Sequence, residues 1–346
     1  MGIFDPSITL DPSTGTLWMS YSSVDPSNLW APFIAVSTRL ASSLDKGETW
    51  TDSGLVVNSA RDVTLALAAP NNAGVWQTEV SSLVYDPRAV VTERWKLLFQ
   101  HYLQINGVPH FEHSWLGMKS GSSPAALASA IEIKLFGSYL YDTGNNTAGG
   151  GSQSPLGGAP AIQLDTAISP VLNTCLFGEP SLYANQNSLY LAVQCDHLSD
   201  GDRWIVLLKC ASPCQMSSAA SWAYVGTLFK KSDAATLGFS GGFAAPAIAE
   251  TSGGVFLIVT PAQDPSAVYK GCRVYKFANL DTATLVGVPG PPTLIASIDT
   301  PVTPGGTFFG AGAFTGNSSS SGLLYGEIKG TFPTWEFQIF KSRMTF

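Results

Sequence analysis

Apolar residues recur along this chain in short alternating runs, broken at close intervals by clusters of Gly, Pro, Asn, Asp and Ser. A period of two buries one face of a β-strand, so the pattern predicts many short strands joined by turns. The runs group into five versions of one hairpin: "DPSITLDPSTGTLWMSYSS" from Asp5, "EVSSLVYDPRAVVTERWKLLFQHY" from Glu79, "EPSLYANQNSLYLAVQC" from Glu179, "APAIAETSGGVFLIVTP" from Ala245 and "AGAFTGNSSSSGLLYGEIK" from Ala311. Four of them are followed by a third run ("PFIAVSTR", "HSWLGMKS", "RWIVLLK", "CRVYKFA") and a fourth ("SGLVVNS", "AIEIKLF", "AYVGTLF", "TLIASI"). The fifth unit ends in "WEFQIFKSRMTF", which supplies a third strand only.

A four-stranded unit repeated radially predicts an all-β, five-bladed β-propeller with antiparallel blades. The last blade is expected to hold three strands, or to gain one from the residues before Asp5. The blades fall at about 1–60, 76–138, 177–230, 241–299 and 307–346, within one domain, because no linker is long enough to separate two cores. The stretch 139–176, with "NNTAGGGSQSPLGG", is expected to be a mobile insertion that leads into the strand at Glu179.

Composition narrows the partners. Only 12% of the 346 residues are charged, and 34 Gly and 22 Pro suit a protein of many turns. The net charge of -7, with 18 scattered Lys and Arg, argues against nucleic acid and favours neutral ligands. No apolar run reaches the length of a membrane span, and "MGIFDPSITL" has no basic region followed by a long apolar one. A secreted or periplasmic monomer, its signal peptide already removed, is the expectation. The cysteines number five. Cys210 and Cys214 in "CASPC" are placed to close a small loop, and Cys175 and Cys195 flank one hairpin; buried free thiols are the equal alternative. No Cys and His spacing fits a zinc site.

Candidate chemistry follows from the repeat. The innermost strands of a propeller begin at one face and converge on its axis, so the aligned column Asp5, Glu79, Glu179, Ala245 and Ala311 becomes a set of spatial neighbours. Three acids in one cleft repel, which keeps at least one partly protonated near neutral pH. Hydrolysis of a glycoside needs an acid to protonate the leaving oxygen and a carboxylate to act as nucleophile or to activate water. Loops on the same face offer aromatic platforms and polar hooks for a sugar: Trp30, Trp76, Gln77, His110, Asp196, His197, Phe308 and Phe309. Each of these aromatic residues has inter-blade packing as its alternative role. His101, near the end of a second strand, is either an axial contact or a satisfied core histidine.

"SLDKGETW", Ser43 to Trp50, supplies a hydroxyl, a carboxylate two residues later, a glycine and a closing tryptophan. These are the parts of a self-capped hairpin turn. It lies at the end of its blade opposite the acid column, so Asp45 is expected to hold a turn.

With repeat, column and turn in hand, the chain resembles the five-bladed β-propeller glycosidases, the group that includes glycoside hydrolase families 43, 32 and 68. "SLDKGETW" is similar to the Asp-box of sialidases, with Ser43, Asp45, Gly47 and Trp50 at its defining positions. The resemblance implies that Asp5 is the nucleophile or base, Glu179 the general acid, and Glu79 the residue that orients or tunes the pair. Sialidases themselves resemble one another in a cluster of arginines on six blades, and Arg39, Arg61 and Arg88 form no evident triad. No histidine lies in the fifth inner hairpin, where some family members hold a calcium-associated ligand, so neither metal nor cofactor is expected. The expected function is hydrolysis of neutral, furanose-containing oligosaccharides or polysaccharides. The alternative is a non-catalytic propeller serving as a carbohydrate-binding or interaction module.

Overall fold

The strands assemble into five antiparallel sheets arranged as blades around one axis. The computed structural model describes residues 2–24, 35–62, 74–105, 108–137, 160–163, 167–173, 175–197, 201–263, 268–315, 322–330 and 334–344. Blade 1 comprises Gly2–Leu10, Leu17–Val24, Val36–Ser43 and Thr51–Val57, and blade 2 Gly74–Tyr85, Trp95–Ile105, Val108–Gly121 and Ile133–Gly137. Blade 3 runs Cys175–Ala184, Ser188–His197, Arg203–Ala211 and Trp222–Phe229, and blade 4 Phe243–Thr251, Gly254–Gln263, Cys272–Asn279 and Leu294–Ile298. Among the described residues blade 5 has three strands, Thr307–Phe314, Gly322–Lys329 and Glu336–Arg343. Gly2 bridges Phe337 of its outer strand in parallel, which joins the first blade to the last. The first strand of each blade touches the first strand of the next, and the strand of blade 5 touches that of blade 1, closing the circle.

Apolar faces of neighbouring blades pack against each other, which is why the strands alternate. Leu40, Val57, Leu83 and Phe99 fill the joint between blades 1 and 2, and Leu98, Phe136, Leu191 and Val206 that between blades 2 and 3. Leu207, Phe229, Leu257 and Tyr275 join blades 3 and 4; Ile258, Val274, Phe308 and Leu323 join 4 and 5. Phe4 on Phe337, with Met19 on Leu324, completes the last joint. Among the described residues no helix is long and apolar enough to cross a membrane.

Every inner strand is interrupted midway. Its register against the second strand slips between Phe4 and Ser7, Glu79 and Ser82, Gly178 and Ser181, Ala244 and Ala247, and Phe309 and Gly312. The first residue of each slip has a positive φ: Asp5 51°, Val80 46°, Glu179 50°, Ala245 46° and Gly310 77°. Such bulges re-aim side chains and leave backbone groups out of the ladder. They also correct the expected column. Its structural members are Asp5, Val80, Glu179, Ala245 and Gly310, so Glu79 stands one residue ahead of its bulge and Ala311 one residue behind.

The expected mobile insertion lies mainly outside the described residues, 138–159 and 164–166 among them. Near its end, Ile162 and Gln163 pair in parallel with Phe136 and Gly137, and Ile162 and Leu172 are buried in the core between blades 2 and 3. Both cysteine pairs are disulfides. Cys175–Cys195 ties the first two strands of blade 3, Cys210–Cys214 closes the short loop, and Cys272 is free and buried.

Candidate active site

The bulges free backbone N–H groups at the axis, and polar side chains of adjacent blades take them up. Asp5 Oδ1 accepts the Ala311 N–H at 2.8 Å, which links blade 1 to blade 5. The Thr260 hydroxyl donates to the Gly310 carbonyl at 3.0 Å, linking blade 4 to blade 5. Glu179 Oε2 accepts the Ala245 N–H, and the Glu179 N–H donates to Gln100 Oε1 at 3.0 Å. Ser22 closes the circle: its oxygen accepts the Val80 N–H at 3.1 Å while its hydroxyl donates to Asp5 Oδ2 at 3.1 Å. A continuous belt of hydrogen bonds thus crosses all five blade joints, and two of the three acids are members of it.

Asp5 is 2% exposed, whereas Glu79 and Glu179 keep partial access to solvent. Burial pushes the Asp5 carboxyl up, opposed by the Ala311 N–H, the Ser22 hydroxyl and the Val80 N–H. Burial, then the charge of Asp5, pushes Glu79 up, and the charge of Glu179 adds to this; a hydrogen bond with the Tyr102 hydroxyl works the other way. Burial raises Glu179 to about 7, against the opposing pull of the Arg203 guanidinium and the Ala245 N–H. These three carboxyls sense one another's charge, so the structure brings them together although they come from three blades. The arrangement holds one well-anchored carboxylate beside two groups able to carry a proton near neutral pH, the requirement for paired acid and base chemistry.

Several further residues surround the acids that the sequence reading did not single out. Arg203, at the start of the third strand of blade 3, donates through Nε to Asp196 Oδ1 at 2.7 Å and faces Glu179 electrostatically. Asp196 Oδ2 accepts from Gln194 Nε2 at 2.8 Å, and Gln194 Oε1 is buried without a hydrogen-bond partner among the described residues. Tyr102 reaches Glu79, and Tyr269 senses Glu179 and Asp5 while its ring meets Phe309 edge-on at 5.7 Å. Ser22, Gln100, Tyr102 and Gln194 lie on second strands. Ser22, Gln100 and Gln194 pair with Phe4, Glu79 and Gly178, the residues just before each bulge, and Tyr102 pairs two residues earlier with Gln77, so the usable signal is the register of the hairpin and not its composition.

The expected sugar contacts divide. Asp196 lies in the Arg203 network, and Phe309 packs with Phe4, Phe337 and Tyr269 beside the axis. Trp76 is buried, with its ring parallel to His101 at 5.8 Å and tilted against Trp115 at 4.9 Å. His101 is 3% exposed, and its Nδ1 lies 2.7 Å from the Thr78 hydroxyl; burial drives it down to about 3, so the ring is neutral. Gln77 accepts the Val36 N–H at 2.6 Å and donates to Gln104 at 2.9 Å. Phe308 belongs to the core between blades 4 and 5, and His197 is buried with its ring 4.1 Å from that of Trp204. Trp30 and the side chains of His110 and Arg61 lie outside the described residues. Arg39 pairs with Asp52 and Arg88 with Asp86.

The turn at Ser43 to Trp50 joins the third and fourth strands of blade 1. Its Asp45 accepts from the Ser43 hydroxyl at 2.8 Å, the Thr49 N–H at 2.9 Å and the Thr49 hydroxyl at 2.5 Å; the Gly47 N–H donates to Ser43 Oγ at 2.8 Å. Gly47 faces Thr315, beyond the end of the inner strand of blade 5 and away from the acids.

No protein-family model matches the chain, and no curated protein matches it. Solved structures do share its fold. A glycosyl hydrolase from Bacteroides ovatus aligns with 98% of this chain and 84% of its own at 11% identity, with a TM-score of 0.53. A thermostable family-43 glycoside hydrolase aligns over 98% and 89% at 13% identity, TM-score 0.50. A structure from the GH130 family, whose glycoside hydrolases target β-1,2 mannosidic linkages in Candida mannan, aligns over 98% and 84% at 11% identity, TM-score 0.51.

Proposed function

We propose that the protein is a glycoside hydrolase acting on neutral, furanose-containing glycans. The observation that carries this reading is the convergence of Asp5, Glu79 and Glu179 from three blades at the level of the bulges, each with its proton affinity raised by burial. Similarity of fold to propeller glycoside hydrolases supports it.

In the proposed reaction Asp5 is the nucleophile or base. Its two oxygens already accept the Ala311 N–H and the Ser22 hydroxyl, which fixes its direction and favours the ionised form. Glu179 is the general acid: with its carboxyl near 7 it carries a proton at neutral pH, and Arg203 stabilises the carboxylate left after the proton goes to the leaving oxygen. Glu79, held by Tyr102 and repelled by its two neighbours, keeps a proton and limits the negative charge of the cluster. Two disulfides support an oxidising address, outside the cell or in the periplasm.

The test is release of reducing sugar from arabinosides, xylosides and fructosides by wild type, Asp5→Asn and Glu179→Gln. Loss of about 10²–10⁴-fold in either variant is expected for groups in acid–base or nucleophilic roles. Turnover unchanged by Asp5→Asn would overturn the assignment. Saturable sugar binding without turnover would place the protein with binding modules instead, a reading to which the acid-free bulges at Ala245 and Gly310 lend support.

A further inference from the structure

Two residues past the bulges the inner strands carry a second set of contacts. Ser7 Oγ accepts the Leu83 N–H at 3.1 Å, Ser82 Oγ the Leu182 N–H at 2.7 Å, and Ser181 Oγ the Ile248 N–H at 3.1 Å. Ala247 and Gly312 stand at this level in blades 4 and 5, so the hydroxyls stop there. Beyond them, on the side away from the acids, the strands part around a cavity of about 770 Å³. None of Asp5, Glu79 and Glu179 lines it. Its walls are mainly apolar, from Ile8, Leu83, Leu182, Ile248, Ala249 and Phe314.

We propose that this cavity binds an uncharged small molecule with an apolar body and a hydrogen-bond-accepting oxygen at one end, such as an aromatic ketone or ester. Size is the first argument, because small-molecule sites occupy roughly 300–1,000 Å³ and a folded partner does not fit within a ring of five strands. The second is the chemistry of the inner end. Ser7 and Ser181, which with Ala247 are the lining residues nearest the bulges, each use the oxygen to accept a backbone N–H, and neither hydroxyl has an acceptor among the described residues. Two O–H donors without an acceptor among the described residues therefore sit at the inner end of a mainly apolar cavity, where an acceptor oxygen gains most. The third is charge: the charged lining residues are Lys46 and Glu250, both exposed, and Glu250 is engaged by the Tyr183 hydroxyl at 2.8 Å. An ionic ligand finds no buried counter-charge, and Leu10, 53% exposed, widens the apolar mouth.

The probe is 6-propionyl-2-(dimethylamino)naphthalene, uncharged, apolar and ending in a ketone, titrated against the intact chain by fluorescence. The expected result is saturable one-site binding with blue-shifted emission. Ala249→Trp fills the chamber and is expected to weaken binding by about tenfold or more, with the far-UV spectrum unchanged. Leu10→Arg brings a charge to the mouth from an exposed position, so folding is preserved, and it too is expected to weaken binding. Unshifted emission, no saturation, or binding indifferent to Leu10→Arg would overturn the proposal.

Discussion

Gly310 shows how closely one residue governs the acids. Its φ of 77° favours glycine, and a Cβ there would lie 2.0 Å from Asp5 Oδ1. Gly310→Ala is therefore expected to displace the Asp5 carboxylate as well as strain the backbone. Strain of this kind costs about 1–3 kcal/mol, and a displacement of roughly 1 Å at a reacting group costs about 10²-fold in rate. Denaturant unfolding and sugar release measured on the same variant separate the two effects; unchanged turnover would refute the dependence of Asp5 on this glycine. Glu179 makes a prediction about pH. Its carboxyl moves from an ordinary 4.5 to about 7, so the folded state binds the proton more tightly than the unfolded state. That stabilisation is complete below about 4.5 and is lost as pH rises through 7. Glu179→Gln is neutral at every pH, so thermal melting should rise above wild type at pH 8 and match it near pH 4.

The bulged inner strand is the element that makes the site. In blades 1, 3 and 4 a proline follows the positive-φ residue, Pro6, Pro180 and Pro246, and a proline within a strand marks a bulge because it has no N–H for the ladder. That signal was legible. Blades 2 and 5 have Ser81 and Ala311 instead, so no proline marks their bulges, and the residues of the aligned column, Glu79 and Ala311, stand one before and one after the positive-φ residues Val80 and Gly310. A one-residue slip normally reverses the face of a side chain. Glu79 still reaches the acids because it flanks Val80, whose N–H bonds to the same Ser22 that holds Asp5. The turn at Asp45 shows the opposite case, in which local sequence suffices. Each of its bonds joins residues at most four positions apart between Ser43 and Thr49, and they hold Asp45 down at about 2. Asp45→Asn weakens the charge-assisted bonds, so the melting temperature should fall at neutral pH while turnover stays at the wild-type level. This loss should shrink as the pH approaches 2, where the wild-type carboxylate gains its proton.

At the scale of the molecule, five apolar joints and a circle of contacts between inner strands hold the blades around one axis. The strand alternation and the fivefold hairpin determined the class of fold, because period-two burial and radial repetition are local properties that recur in every blade. The sequence also placed Asp5 and Glu179 at equivalent bulges. Tertiary structure alone decided their company. Arg203, Tyr102 and Tyr269 come from other strands, at positions set by hairpin register and by the rotation between blades, and no spacing along the chain encodes those distances. It decided the proton affinities too, since desolvation depends on what packs around a carboxyl. The cavity beyond the serines is likewise visible only once five strands face one another: each contributes an ordinary run of apolar residues, and the space between them belongs to no single run.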